Sequence, residues 1–372
     1  ASGHSPDCAG NTMRKILTLT AIIAATSAAA APEVTRHYGP AYAPDQAAQH
    51  LLIRGTTDIE LFDPILKIFS TLNTDLAIVY EQWASNQLYD YAVAACADQV
   101  EAADILISSS VDQQVKLAND GCAQSHASAA TQSLPQGMNW RDELFGITRE
   151  PAVIVYNRAL VPVQDIPLSR FRLIDLLRGS DGRYDGKVAT YDIERSGLGY
   201  MFAFADSLQA TTFGSLLEAF ARGQAVTTCC SAEIIDDVAT GKYLIAYNIL
   251  GSYALARAAQ DPNIGIVAPS DYTLILSRGA LIPKKAKNPK SAGDLIDFLV
   301  SEAGKNALSA QQLYLSPAMM REKGLMADED GGSNLLVIPL SPVTLVGLDR
   351  QRQLHFIERW KSAFSLPLPT NP

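Results

Sequence analysis

Short apolar runs alternate with helical periods from about residue 50 to about residue 310. Leu51-Leu52-Ile53-Arg54-Gly55 predicts a strand, and Thr56-Thr57-Asp58 then leads into a helix whose apolar positions are Leu61, Ile65, Leu66 and Phe69. Ala77-Ile78-Val79-Tyr80 predicts the next strand, followed by a helix opening at Ser85 and running through Leu88, Tyr91 and Ala94. Asp104-Ile105-Leu106-Ile107-Ser108 predicts a third strand that ends in a serine triplet. Strands of four to eight residues alternating with longer amphipathic periods imply βαβαβ, hence a mostly parallel sheet covered by helices.

Residues 123–139, rich in Ala, Ser, Gln and Gly, interrupt the alternation and predict a loop. A second α/β set follows. Its strands are Ala152–Asn157, Lys187–Thr190 and Gly241–Tyr247, and Ser196-Gly197-Leu198-Gly199 opens one of its helices. Ile264–Pro269 and Gly279–Pro283 have the pattern of return strands, and Asn288-Pro289-Lys290-Ser291 starts an amphipathic helix through Ala292, Leu295, Ile296, Phe298 and Leu299. Beyond about residue 335 come Val337–Pro342 and a helix over Gln351–Phe364 with Leu354, Phe356, Ile357 and Trp360 apolar. No solenoid-length repeat is present.

At 372 residues, 48% hydrophobic and 19% charged, the chain is long enough for two or three packed units and is not disordered in character. A formal charge of −9 argues against nucleic acid as a partner, because phosphates need a basic face. Met13-Arg14-Lys15, the apolar stretch Ile16–Ala25 and the small residues Ser27–Ala31 have the order of a secretory leader, too short to span a bilayer in the mature chain. Residues 1–30 are therefore excluded from the fold, and export to an oxidising compartment is expected. There Cys96 and Cys122 can pair if their Cα atoms come within about 7 Å, whereas adjacent Cys229 and Cys230 could join only in a strained vicinal bridge. Neither His-x-x-x-His nor Cys-x-x-Cys occurs, so no metal or cofactor is expected.

The order of these pieces resembles a type 2 periplasmic solute-binding protein of the ferric-ion-binding branch. Thr148–Asn157, Asp271–Pro283, Asn288–Leu299 followed by Ser301–Leu308, and Leu315-Ser316-Pro317 carry the resemblance, which covers roughly residues 48–320. It implies an α/β fold of two lobes, each a mixed, mostly parallel sheet flanked by helices, hinged by two crossing strands. The expected boundaries are 31–152 with 268–320 for the first lobe, 153–267 for the second and 321–372 for a C-terminal extension. The crossings are expected near residues 149–153 and 267–272. That extension resembles one in phosphoglycerate-transport sensory proteins.

The chain departs from the ferric pattern at the ligand positions. Ferric-binding members carry adjacent tyrosines after a segment like Leu244–Asn248, but here Ile249–Tyr253 follows, and Thr56-Thr57 stands where a His would be. A hard Fe³⁺ ion demands anionic oxygen ligands, which hydroxyls and amides do not supply. The expectation is therefore a small anionic solute, held between the lobes by hydroxyls, helix N-termini and a guanidinium group. The candidates are Thr56, Thr57, Ser85, Asn86, Ser108, Ser109 and Ser110 on the first lobe. On the second they are Ser196, Gly197, Gly199, Ser231, Asn248 and Tyr253, with Arg149 beside the crossing. Each strand-end hydroxyl alone reads more simply as a helix cap, and their convergence on one cleft is what favours a ligand. Arg149 could instead pair with Glu150 or Asp142. Arg54 and Arg195 are weaker candidates, and Trp83 and Tyr80 could line the cleft.

The resemblance implies a periplasmic monomer that hands its solute to an ABC permease. The alternatives are a sensory adaptor for a two-component sensor kinase and a ferric or ferric–anion carrier. Hydrolase chemistry has no support, since neither Gly-x-Ser-x-Gly nor His-Glu-x-x-His occurs.

Overall fold

The structure, a computed structural model, describes residues 31–40, 49–326 and 335–365. The leader expected over residues 1–30 lies outside the described residues. Strands β1 (Val34–Tyr38), β2 (Gln49–Gly55), β3 (Leu76–Gln82), β4 (Ile105–Ser108), β5 (Ala123–Gln124), β6 (Asn139–Trp140) and β7 (Leu144–Gly146) belong to a first sheet. Strands β8 (Glu150–Asn157), β9 (Val188–Tyr191), β10 (Val226–Thr228), β11 (Ile245–Leu250), β12 (Ile264–Val267) and β13 (Thr273–Leu276) build a second. The chain then returns to the first sheet as β14 (Gly279–Pro283) and comes back to the second as β15 (Leu335–Val337). The two sheets, each with helices packed on it, form the two lobes of an α/β architecture.

The expected parallel βαβαβ core is present, with β2 parallel to both β3 and β4. It is made a mixed sheet by β1, β14 and β7, which pair antiparallel with their neighbours. Apolar spacing decides which helix faces go inward. The helix Ile59–Leu72 buries Ile59, Phe62, Ile65, Leu66 and Phe69, one stripe at intervals of three and four. The helix Pro289–Val300 buries Ala292, Leu295, Ile296 and Leu299 in the same core. β8, β9 and β11 are buried along their whole lengths apart from Tyr156, as expected for strands covered on both faces.

Three elements differ from their expected positions. The strand expected at Gly241–Tyr247 runs instead over Ile245–Leu250, because Gly241, at φ +79°, closes the end of the preceding helix Ser231–Ala239. The first lobe-to-lobe crossing falls at residues 147–149, between β7 and β8. The second falls at Ser277-Arg278 rather than at 267–272, because Thr273–Leu276 first pairs with β8 and β15 in the second sheet. The segment after residue 335 is built into the second lobe. β15 adds to β13, and the helix Arg350–Ser365 packs Phe356 on Phe213 at 5.7 Å and Trp360 against Phe220 at 6.3 Å. The 3-10 turn Pro342–Leu348 between them also touches the first-lobe helix Val111–Asn119. Among the described residues no helix is long and apolar enough to cross a membrane.

Cys96 and Cys122 are disulfide-bonded with a Cα–Cα distance of 5.4 Å, and Cys229 is bonded to Cys230. The first bridge ties the end of the helix Ser85–Cys96 to the turn before β5.

A fully buried ion pair joins the two crossings. Arg278 donates from Nε to Glu150 Oε1 (2.9 Å) and from Nη2 to Oε2 (3.3 Å), and both side chains are 1% exposed or less. Burial works against the guanidinium charge, but Glu150 beside it holds its pKa above the ordinary arginine value. Thr148 donates to Glu150 Oε1 (2.8 Å) and its hydroxyl accepts the Arg278 N–H (2.8 Å), while Ser252 donates to Oε2. Removing one partner of such a pair strands the other in low dielectric. Glu150→Ala is expected to lower stability by about 3–5 kcal/mol, measured as the shift of the denaturant midpoint at constant slope.

Asp112, in the helix Val111–Asn119, is buried with its Oδ1 accepting the Gln113 N–H at 2.9 Å. Burial pushes its pKa up from 3.8 to about 7. A raised acid pKa favours the protonated folded form. The stability it allows is complete below the unfolded value near 3.8 and is lost as pH rises through about 7. Asp112→Asn removes that loss. The variant is expected to exceed the parent most at pH 8, by less at pH 5, and to match it most closely near pH 3, read from paired thermal melts.

Candidate functional site

Between the lobes lies a cleft of about 90 Å³, walled on the first lobe by the segments that leave β2, β3 and β4. Thr56 and Asp58 follow β2, Trp83, Ala84 and Ser85 follow β3, and Ser109 follows β4. The opposite wall comes from the second lobe. It comprises Tyr191 at the end of β9, Arg195 and Ser196 ahead of the helix Gly197–Ser207, and Cys229 to Ala232 around the start of the helix Ser231–Ala239. Tyr253 and Arg278 lie deeper. Carboxyl ends of strands and amino ends of helices thus converge from both sides, which brings the positive ends of helix dipoles to the cavity.

Of the residues singled out in the sequence, Thr56, Ser85, Ser109, Ser196, Ser231 and Tyr253 line the cleft. Thr56 and Ser109 share a hydrogen bond at 3.2 Å, and Ser231 shares one with Tyr191 at 2.6 Å. Thr57 sits behind the wall, where its hydroxyl accepts from Arg278 Nη1 at 3.0 Å. Ser108 is buried and accepts the Ser110 N–H at 3.1 Å, and Ser110 precedes the helix Val111–Asn119. Gly199 sits against Tyr191, where an added Cβ would come within 2.3 Å of that side chain. Asn248 is not at the cleft. Its Nδ2 donates to Asp206 Oδ2 at 2.6 Å in a buried cluster that also holds Arg170, Tyr247 and Tyr272. Tyr80 is buried in the first lobe and donates to the Thr57 carbonyl at 2.5 Å.

The arginines redistribute most. Arg149 does not line the cleft and pairs with neither Glu150 nor Asp142. Its backbone bridges to the segment Leu313–Leu315 through two hydrogen bonds of 3.0 and 2.9 Å. Arg54 is held by Glu81 at 2.6 Å and lies over Tyr91 and Trp83. Arg278 is the guanidinium at the cleft floor, and sequence reasoning passed over it. The signal was a lone charge between the apolar runs Thr273–Leu276 and Gly279–Pro283, which demands a buried partner. Asp58 was also passed over, read as the lead-in to a helix. Its Oδ1 accepts from the Tyr253 hydroxyl at 3.0 Å, and burial raises its pKa despite that bond and the nearby Arg278 charge.

Besides the Asp58–Tyr253 hydrogen bond, the lobes touch at a rim of the cleft. The Gly197 N–H donates to Ser85 Oγ at 2.9 Å, and Asn86 Nδ2 donates to the Glu194 carbonyl at 3.0 Å. Gly197 permits this approach, since a Cβ there would stand 2.7 Å from Ser110 Oγ and 2.8 Å from Asn86 Oδ1. These bonds draw the strand-end hydroxyls of both lobes onto one cavity. Among the described residues no group of three or more His, Cys, Asp or Glu side chains could hold a metal ion.

Known proteins fit this architecture. A substrate-binding protein of an ABC transporter from Agrobacterium tumefaciens is 33% identical, covering 90% of this chain and 99% of its own, with a TM-score of 0.81. At lower identity the fold recurs in AfuA of Actinobacillus pleuropneumoniae with fructose-6-phosphate bound (15%, covering 86% and 100%, TM-score 0.68). It recurs too in iron-bound HitA of Pseudomonas aeruginosa (17%, covering 85% and 99%, TM-score 0.66). Curated proteins give no match. The bacterial extracellular solute-binding protein family matches residues 101–338, and with the Agrobacterium relative it establishes that the chain belongs to that family.

Proposed function

We propose that the protein works in the periplasm, captures a small organic anion in the interlobe cleft and delivers it to an ABC importer. The observation that carries this reading is the convergence of Ser85, Ser109, Ser196 and Ser231 from opposite lobes on one cavity, with Arg195 at its edge. Hydroxyl and backbone N–H donors supply hydrogen bonds to an oxyanion without a metal, and bonds to a charged group contribute about 1.5–3 kcal/mol each. Each lobe alone offers a few of them, so binding should couple to closure.

The phenols of the cleft favour this reading over ferric iron. The Tyr191 hydroxyl shares a hydrogen bond with Ser231 and the Tyr253 hydroxyl donates to Asp58, so both phenols are engaged as neutral hydrogen-bond partners. A ferric ion needs phenolates or other anionic oxygens in their place. AfuA's bound fructose-6-phosphate gives a precedent on the same fold for an anionic organic solute.

A thermal-shift screen of phosphate esters and carboxylates on ligand-stripped protein tests the reading directly, and silence across both classes would overturn it. With the ligand in hand, Ser196→Ala combined with Ser231→Ala is expected to weaken binding at least tenfold, about 1.4 kcal/mol, with an unchanged far-UV spectrum. Calorimetry measures the first and circular dichroism the second. Gly197→Ala leaves every lining side chain in place but props the rim. Small-angle scattering should show the parent compacting on ligand addition and the variant compacting less, with correspondingly weaker affinity.

A further inference from the structure

The charges around the cleft do not suit a simple anion. Arg278 is already neutralised by Glu150, which takes two of its N–H groups at 2.9 and 3.3 Å, and a third goes to Thr57. Asp58 therefore adds a carboxylate to a wall whose buried guanidinium is already paired. Its Oδ1 accepts from the Tyr253 hydroxyl at 3.0 Å and from Gln82 Nε2 at 3.5 Å, and no hydrogen bond to Oδ2 is found among the described residues. Gln82, also on the wall, donates to Glu33 Oε2 at 3.0 Å, so a second carboxylate stands beside Asp58. Asp58, Tyr253 and Glu33 form one group of lining residues, linked through the Tyr253 hydroxyl and Gln82, whereas Ser85, Ser196 and Arg195 form a second group at the Ser85–Gly197 contact. Arg195 forms no ion pair among the described residues and is exposed.

From this division we propose that the ligand is zwitterionic, with its anionic group at Ser85, Ser196 and Arg195 and a protonated amine on Asp58. The inference rests on the anion-binding reading above and adds the second charge. Two carboxylates facing a purely anionic solute would repel it, and for half-buried Asp58 that repulsion is less screened than at exposed Glu33. An ammonium group turns the same carboxylates into acceptors and relieves the desolvation that burial imposes on Asp58. Size limits the candidates. At roughly 10–15 Å³ per water-sized position, 90 Å³ has room for about six to nine such positions. That suits a short aminoalkyl phosphate or amino acid better than a large sugar.

The test is isothermal calorimetry with matched probes: phosphoethanolamine against ethyl phosphate and glycerol 3-phosphate, and β-alanine against propionate. At least one amine-bearing anion should bind tenfold or more tightly than its amine-free partner. Asp58→Asn, checked for folding by its thermal melt, should abolish that preference without raising affinity for the amine. Binding of ethyl phosphate, glycerol 3-phosphate or propionate as tightly as the aminated probe would overturn the zwitterion and leave the anion reading standing. Binding of none of the five would remove the anion reading with it. Should Asp58→Asn fail to fold, the probe pairs on the parent protein decide by themselves.

Discussion

The Arg278–Glu150 pair is the point on which the two-lobed arrangement turns. Glu150 begins β8 as the chain enters the second lobe, and Arg278 is the last residue before β14 returns to the first. Their guanidinium–carboxylate contact fixes both crossings to each other, and Thr57, Thr148 and Ser252 satisfy the remaining polar atoms. A buried pair of this kind adds little net stability over an apolar substitute, because desolvation consumes most of the Coulomb attraction. What it supplies is geometry. The Thr57 contact fixes the turn after β2, and so the positions of Thr56 and Asp58 at the cleft wall.

Around that fixed point the lobes can approach only as far as their contact rim permits. The rim is made of small or polar groups: Gly197 against Ser85 and Ser110, and Asn86 against the Glu194 carbonyl and Gln113. Hydrogen bonds at this surface replace bonds to water, so each contributes modestly. The C-terminal segment takes part in the same geometry, since the 3-10 turn Pro342–Leu348 touches the first lobe while the strand and helix flanking it are built into the second.

The sequence disclosed the fold where periodicity was strong. β2, β3, β4 and β8 were legible because each is a short apolar run bounded by turn or cap residues, and the helix Pro289–Val300 because its stripe is clean and its start carries Asn-Pro. The second crossing was misplaced because Thr273–Leu276 is too short and too uniformly apolar to declare its sheet. Pairing partners more than a hundred residues away settle that. At the site, strand-end serines and threonines could be found from local position alone. Which of them face the cleft and which are spent on neighbours could not, as Ser108, Asn248 and Thr57 show. The consequential charges escaped for the same reason. Arg149 and Arg278 both adjoin crossings, and only three-dimensional pairing assigns Arg278 to the cleft floor and Arg149 to the segment Leu313–Leu315.

One wall of the cleft is a sulfur–sulfur bond between neighbours in sequence. Cys229 and Cys230 line the cavity directly before Ser231, whose hydroxyl shares a hydrogen bond with Tyr191 on the same wall. The bond closes a small ring in the backbone that leads into the helix Ser231–Ala239. Its integrity therefore depends on the thiol chemistry of the surroundings as well as on folding. Dithiothreitol or tris(2-carboxyethyl)phosphine, added by routine to protect purified protein, is for this molecule a reagent directed at the wall of the interlobe cleft. Measurements made in its presence describe a wall with two thiols where the oxidised protein has a rigid ring.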